Sequence, residues 1–357
     1  MSKTADQSAL FKSTEIPVVP RNHGFAQLPA DPLVSIIVRT HGQRLGFLQE
    51  AVASIIAQDY RPLEIVVVED GTTNASEWIV EQQARLAAEN LKSITLTYNP
   101  VEQGGRCRAG NAGLLAAQGE LCGFLDDDDL FLPGHVTTLV SALKRQTNCG
   151  AAYAIAWEVP TQIESLSPLR YRELKRFVSL AHPFDADALA RRNLTSIQSV
   201  LFRSDLFRWR GGLDERLDAL EDWDLWRRYS SAAPFAFVNE ITSLYRVPGD
   251  PESARRRQLI FRDYQETVER LWRLDPGRQQ LSASHQRGIG DSPRSPREPK
   301  QQQRNSSSQP LEAQAVKPSL FRGIRATARD FLLKRPRLYA CWWHVRLRTK
   351  RNIQREI

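Results

Sequence analysis

Two short apolar runs flank a helical pattern near the start of the chain, and this arrangement limits the fold more than any other feature. Residues 34–39 (VSIIVR) and 64–69 (EIVVVE) are continuous and rich in β-branched residues, as expected of strands that are buried on both faces. Apolar residues recur at helical spacing over 45–56 between them. Strand, helix and strand within forty residues predict a right-handed βαβ unit and therefore a parallel sheet.

The same alternation continues along the chain and predicts an α/β fold class with a mixed, mostly parallel sheet flanked by helices. Residues 158–197 carry no clear periodicity, and we expect a loop-rich cover over the sheet. The predicted strands are 94–98, 121–125, 151–157, 198–202, 235–238 and 241–247, and the predicted helices are 78–90, 109–118, 133–145, 221–228 and 255–274.

Composition divides the chain into four parts. Residues 1–31 read as an irregular lead-in and 32–276 as the α/β domain, with a first half at 32–157 and a second half at 158–276. Gln, Ser, Pro and Arg dominate 277–316, which predicts a disordered linker because such residues bury little apolar surface. Residues 317–357 read as a basic amphipathic tail.

Four consecutive aspartates, Asp126 to Asp129, follow the apolar run at 121–125. Adjacent carboxylates repel one another, and a hard divalent cation such as Mg2+ or Mn2+ would relieve that repulsion. At the carboxyl end of a strand in an open α/β sheet, the cluster would lie where ligands usually bind. The alternative is a solvated acidic loop that caps the next helix.

Two further acids have a functional and a structural interpretation. Asp70 follows the second strand at a glycine turn, where it could accept hydrogen bonds from a ribose or a base, or form an Asx turn with its own loop. Asp222 precedes a helix and is followed by Trp223 and Trp226. A carboxylate beside aromatic rings can act as a general base, although acids also stabilise a first helical turn.

The order of these features resembles family 2 glycosyltransferases of the GT-A fold, which invert the anomeric centre. The resemblance covers about residues 33–250. Each motif alone is a weak indication of the family, but their occurrence in this order is a strong one. It rests on VSIIVRT at 34–40, EIVVVEDGTT at 64–73, FLDDDD at 124–129, GGLDE at 211–215 and EDWDLW at 221–226.

The resemblance implies a role for each matching residue. Thr40, Glu69 and Asp70 would line the nucleotide pocket. Asp128 would be the closest ligand of a Mg2+ or Mn2+ ion, and Asp126 would contact the ribose or reach the metal through water.

Asp222 matches the catalytic base of the family, which takes a proton from the acceptor hydroxyl. This sequence departs from the family pattern at Arg39 and His41, which replace Pro and Tyr, and at Gly110, where Arg is common before Asn111. Glu69 also stands where Asp is common. We expect Arg106 or Arg108 to supply the missing positive charge to the diphosphate.

Charge and cysteine content narrow the partners and the compartment. The net charge is +8, but twelve Lys and Arg residues lie in 317–357, so nucleic-acid binding by the whole protein is not expected. The tail predicts either contact with an anionic membrane surface or a docking arm for nucleic acid or a protein. Four scattered cysteines and the lack of a long apolar run predict a cytoplasmic protein, peripheral at the inner face of the membrane if the tail binds lipid.

The function that these features favour is transfer of a sugar from a UDP-, GDP- or dTDP-sugar to a glycan or lipid-linked acceptor, in surface polysaccharide or glycolipid synthesis. One alternative is a sugar nucleotidyltransferase, although the first strand is not followed by the Gly-rich loop with Arg and Lys that is usual there. Another alternative is an inactive GT-A domain that serves as a scaffold. The chain has neither a P-loop nor a complete GxGxxG motif, which argues against a P-loop NTPase and a nicotinamide enzyme.

Overall fold

The computed structural model describes residues 24–278 of the 357-residue chain. Most of the predicted lead-in (1–31), nearly all of the predicted linker (277–316) and the whole predicted tail (317–357) lie outside these residues. Within the described part, no helix combines the length and the apolarity that a membrane span requires.

Nine strands form one mixed sheet. Eight of them lie in the order β3-β2-β1-β4-β8-β6-β9-β5, and β7 pairs with β6 off this path. The strands are β1 (Val34–Thr40), β2 (Leu63–Asp70), β3 (Ile94–Val101), β4 (Leu121–Asp126), β5 (Leu130–Phe131), β6 (Ala151–Leu166), β7 (Leu169–Glu173), β8 (Val200–Arg203) and β9 (Phe235–Pro248).

Eight helices accompany the sheet in the described residues. They are α1 (Leu45–Ile56), α2 (Ser76–Ala88), α3 (Gly105–Ala116), α4 (His135–Arg145), α5 (Ala186–Arg191), α6 (Ser204–Arg210), α7 (Glu221–Ser230) and α8 (Pro251–Leu274).

The first half of the sheet confirms the predicted parallel βαβ arrangement. β1 is buried along its whole length and pairs in parallel with β2 on one side and with β4 on the other. Parallel strands place their carboxyl ends at one edge, so Thr40, Asp70 and Asp126 end neighbouring strands on the same side. In this register Arg39 of β1 lies directly opposite Asp126 of β4.

The second half differs from the sequence-based expectation in three places. Residues 158–197 are not mainly loop, because β6 continues to Leu166 and turns back through β7 as a hairpin. One strand, β9, replaces the two predicted at 235–238 and 241–247, and a register irregularity in its pairing with β6 explains the apparent break. Helix α3 begins at Gly105 rather than at residue 109, so the second glycine of the Gly-rich turn is the first residue of the helix.

Helix α7 packs its aromatic face into the main core. Trp226 lies 5.9 Å from Phe202 and 6.2 Å from Phe235 between ring centroids, in tilted and edge-on arrangements that aromatic pairs favour. Trp223, Trp226 and Tyr229 are all buried. This packing fixes the helix whose first turn carries Glu221 and Asp222.

A buried ionic cluster ties α7 to the residues that follow α8. Asp224 is fully buried and accepts hydrogen bonds from Arg228 at 2.9 Å, Trp272 at 2.8 Å and Arg278 at 3.1 Å. Burial acts to raise the pKa of Asp224, but the charges of Arg228 and Arg278 outweigh it and lower that pKa. The carboxylate therefore stays ionised and balances two buried cations.

We predict that Asp224→Asn lowers the free energy of unfolding by about 3–5 kcal/mol, because removing one partner leaves buried charge uncompensated. Urea unfolding followed by tryptophan fluorescence measures the change. Asp205→Asn is the matched control, since Asp205 pairs with the exposed side chain of Arg208 within one helix, and it should change stability by less than about 0.5 kcal/mol. Equal effects of the two substitutions would contradict the assigned role.

Candidate active site

The carboxyl edge of β1, β2 and β4 brings together most of the acids that the sequence singled out. Asp126 ends β4, Asp70 ends β2, and Glu221 from the start of α7 reaches the same region through Arg39. The site is therefore built by three segments that are far apart in sequence and joined through the sheet.

Arg39 holds Asp126 and Glu221 together. Its Nε and Nη2 donate to the two carboxylate oxygens of Asp126 at 2.7 and 3.0 Å, and its Nη1 lies 3.3 Å from Glu221 Oε1. Burial acts to raise the pKa of Asp126, but Arg39, with Arg106 and Arg44, outweighs it and lowers that pKa. Asp126 is therefore ionised, and both of its oxygens are engaged by one guanidinium.

Arg44 neutralises the next two acids. It donates to Asp127 at 2.5 Å and to Asp128 at 2.6 Å, and Asp127 also accepts a hydrogen bond from the Thr40 hydroxyl at 2.7 Å. Asp127 is fully buried, and burial raises its pKa to about 7. Thr40, predicted to line the nucleotide pocket, is itself buried and orients Asp127 instead.

Asp129 is an internal anchor. Its carboxylate accepts the backbone N–H of Arg246 in β9 at 3.0 Å. Burial, with the charges of Asp128 and Asp126, raises the pKa of Asp129 well above its usual range. Asp127 and Asp129 are thus buried while Asp126 and Asp128 keep about a quarter of their side chains exposed, which agrees with the expected division of roles.

Glu69, predicted to line the nucleotide pocket, lies beneath the loop after β2. It is fully buried and accepts hydrogen bonds from the backbone of Asn74 at 2.7 Å, the backbone of Ala75 at 3.0 Å and the Tyr98 hydroxyl at 2.7 Å. The Thr72 hydroxyl also donates to it. These bonds use the carboxylate to order the loop that starts α2, and the nucleotide contact stays a prediction.

Asp70 orders the Gly-rich turn. Its two carboxylate oxygens accept the backbone N–H groups of Gly104 at 2.7 Å and of Gly105 at 3.0 Å, at the first turn of α3. Such N–H groups lack partners inside the helix, so a carboxylate there is stabilising. A contact from Asp70 to a ribose or base would share oxygens that already hold this turn.

Asp222 is positioned by its own helix and by a neighbouring loop. Its Oδ1 accepts the backbone N–H of Trp223 at 2.7 Å, and its Oδ2 accepts the side-chain amide of Asn193 at 2.9 Å. Burial, with the charge of Glu221, raises the pKa of Asp222 to about 7. A carboxylate with such a pKa is about half ionised at neutral pH, and its ionised form is basic enough to accept a proton.

Arg106 extends the positive charge toward solvent. Its side chain is more than half exposed, and its Nη1 lies 3.7 Å from Glu221 Oε1. Arg108, the other candidate for a diphosphate contact, pairs instead with the exposed Glu102 at 3.4 Å. Of the two, Arg106 is the one that lies at the acid cluster.

The side chains at this edge could supply one carboxylate, that of Asp128, to a divalent ion, but they do not form a complete set of metal ligands. Within the described residues, no group of three or more His, Cys, Asp or Glu side chains is arranged to hold a metal. The side chain of Asp128 accepts the hydrogen bond of Arg44 through Oδ2, which leaves Oδ1 to bind a metal ion. Mg2+ commonly takes one or two carboxylates and completes its shell with substrate phosphates and water, so Asp128 fits such a site.

Arg39, Arg44 and Asn193 were missed as site residues in the sequence. Arg39 was noted only as a departure from the family pattern, and so was Gly110. The structure connects these two departures, because a Cβ at Gly110 would come within 3.4 Å of the Arg39 side chain and 2.5 Å of Leu213. A larger residue at 110 would clash with Leu213 and press on the Cδ of Arg39, a link that only the fold reveals.

Comparison with known proteins agrees with this architecture. The family model described as glycosyl transferase family 2 matches residues 35–196, from the first residues of β1 to the loop that carries Asn193. These residues belong to glycosyl transferase family 2. The GT-A-type α/β class with a mixed sheet, expected for this family, is confirmed by the strand order described above.

Two proteins with similar sequences come from bacteria. An uncharacterized glycosyltransferase of Rickettsia typhi is 28% identical over 221 residues, which cover 60% of this chain and 64% of that protein. The uncharacterized glycosyltransferase EpsJ of Bacillus subtilis is 28% identical over 211 residues, covering 57% of this chain and 55% of EpsJ. The chain thus spans less than two thirds of these relatives.

Among solved structures, the family 2 domain is similar to TarS of S. aureus in complex with UDP-GlcNAc. The TM-score is 0.48 at 18% identity, over 62% of this chain and 60% of the TarS chain.

Proposed function

We propose that this protein transfers a sugar from a nucleotide-diphospho-sugar to an acceptor hydroxyl with inversion, and that Asp222 is the general base. The observation that carries the proposal is that Asp222, which follows the matched residues 35–196, is connected to their acidic sheet edge through the adjacent Glu221. Two hydrogen bonds fix its carboxylate, its pKa lies near 7, and Arg39 and Arg106 connect the adjacent Glu221 to the acid cluster of the sheet edge.

The donor would bind over the carboxyl ends of β1, β2 and β4. Arg106 is exposed beside this edge and would contact the diphosphate, while Asp70 holds the Gly104–Gly105 turn and would approach the ribose or base from there. UDP-, GDP- or dTDP-sugars are the donor class that the family implies. Asp128 would hold a Mg2+ or Mn2+ ion, which offsets the negative charge that grows on a diphosphate leaving group.

The acceptor would approach from the side of α7. Asp222 takes the proton of the attacking hydroxyl as that oxygen bonds to the anomeric carbon on the face opposite the leaving group. Asn193 holds Oδ2 of Asp222 in place, so it is a positioning residue rather than a catalytic one. The Arg39 bridge keeps this carboxylate at a fixed distance from the donor edge through Glu221.

The alternatives weighed from the sequence are less compatible with this arrangement. The family match supports glycosyl transfer rather than nucleotidyl transfer. A scaffold without activity has no need of a partly buried carboxylate that is held by two hydrogen bonds and kept close to neutral pKa. We therefore propose an enzyme that acts in the synthesis of a surface glycan or glycolipid.

We predict that Asp222→Asn lowers kcat by about 10²–10⁴-fold, the range expected for loss of a general base. The amide keeps the shape of the side chain, so the affinity for the nucleoside diphosphate should stay within about twofold. Asp205→Asn, which changes a partly exposed carboxylate on α6, is the control for a simple loss of charge. Full activity of Asp222→Asn would reject this residue as the base.

The pH profile tests the same group independently. Because burial raises the pKa of Asp222 to about 7, the ionised base is depleted below that pH. The value of kcat/KM should fall about tenfold per pH unit below 7 and level off above it. Asn193→Ala removes a hydrogen bond that favours the ionised form, so it should move the midpoint to higher pH. A profile that is flat from pH 5 to 8 would contradict the proposal.

Divalent metal and donor can be tested together by thermal unfolding. UDP, GDP and dTDP are screened with Mn2+, and the nucleotide that binds the folded state raises the melting temperature. We predict that EDTA stops transfer, that Mn2+ or Mg2+ restores it, and that Asp128→Asn reduces the metal-dependent part of the melting shift. Activity that persists in EDTA, or a metal-dependent shift unaffected by Asp128→Asn, would oppose a metal at this residue.

A further inference from the structure

A cavity of about 300 Å³ lies between α8 and the residues that surround Asp222. On one wall are Gln258, Phe261, Arg262 and Gln265, which share one face of α8 because they are spaced by three, four and seven residues. The opposite wall carries Arg192, Asn193, Leu220 and Trp223, which come from the end of α5 and the start of α7.

This cavity adjoins the proposed base. Asn193 lines it and donates its side-chain amide to Asp222 Oδ2 at 2.9 Å. Leu220 and Trp223 flank Glu221 and Asp222 in sequence and line the same space. A molecule in the cavity would therefore contact the residues that hold and flank Asp222.

The lining has a clear chemical character. Arg192 and Arg262 are cationic, and none of the eight lining residues is acidic. In the described residues, the Arg192 guanidinium lies 3.3 Å from His182 Nε2 and forms no ion pair with a carboxylate. Trp223 and Phe261 add aromatic surface, and three side-chain amides add hydrogen-bond donors and acceptors. Paired arginines favour planar oxyanions, and rings favour the apolar face of a sugar.

We infer that this cavity is the acceptor site and that the acceptor carries an anionic group, a phosphate or a carboxylate, bound between Arg192 and Arg262. The inference rests on the proposed function, since it assigns a substrate class to the site beside the proposed base. Six of the eight lining residues lie beyond residues 35–196, so most of the cavity is contributed by residues outside the matched family segment.

Calorimetric titration of the full chain tests the charge preference. The donor pocket is first saturated with the nucleoside diphosphate chosen by thermal unfolding, and glucose 1-phosphate is compared with methyl α-glucoside as the neutral probe. We expect the phosphate to bind at least about tenfold more tightly, and Arg192→Gln and Arg262→Gln each to remove about tenfold of that affinity.

Arg256→Gln is the matched control, because Arg256 also lies on α8 but pairs with the exposed Glu252 and does not line the cavity. Its affinity for glucose 1-phosphate should stay within about twofold of the wild type. Equal binding of the phosphate and the neutral glycoside, or an equal loss in Arg256→Gln, would overturn the inference. The titration measures binding and does not depend on turnover. Absence of any sugar-nucleotide turnover would instead overturn the proposed function.

A decyl phosphodiester of glucose separates the two sources of such an acceptor. Binding at least about tenfold tighter than glucose 1-phosphate identifies a lipid-linked acceptor, whereas equal binding identifies a soluble sugar phosphate. Both results support an anionic acceptor, provided that Arg192→Gln and Arg262→Gln weaken the probe that binds. Binding of either probe that is unchanged in both variants would place it outside the cavity and overturn the inference.

Discussion

Two arginines make the acid cluster at the end of β4 compatible with a folded protein. Arg39 engages both oxygens of Asp126, and Arg44 engages Asp127 and Asp128. Without them, adjacent carboxylates at a partly buried strand end would repel one another and lose hydration. Because Arg39 also reaches Glu221, the same pairing connects the sheet edge to α7 and to the base at its start.

Local patterns were enough to predict the nucleotide-binding half of the fold and the residues of the sheet edge. Continuous β-branched runs are specific to strands buried on both faces, and β1 and β2 match them within one residue at each end. The family resemblance singled out Asp126 and Asp128, and these two side chains remain partly exposed while Asp127 and Asp129 are buried.

The sequence could not show which partner each polar group would choose. Glu69 and Asp70 are adjacent, yet one anchors the loop before α2 and the other the turn before α3, because neighbouring strand residues point to opposite faces. Asn193 lies 29 residues from Asp222 and carries no motif, so its hydrogen bond depends on long-range packing. The β6–β7 hairpin was missed for a related reason, because it is largely exposed and lacks the apolar alternation of a core strand.

The two parts of helix α8 make different contacts. Val268 and Trp272, in its second half, are buried and attach it to the core, whereas the face that lines the cavity belongs to residues 258–265. Variation on that face leaves the anchoring contacts intact and does not touch the sheet edge where the donor is proposed to bind. Substitutions in 258–265 can therefore alter the proposed acceptor site without removing the contacts of Val268 and Trp272 with the core.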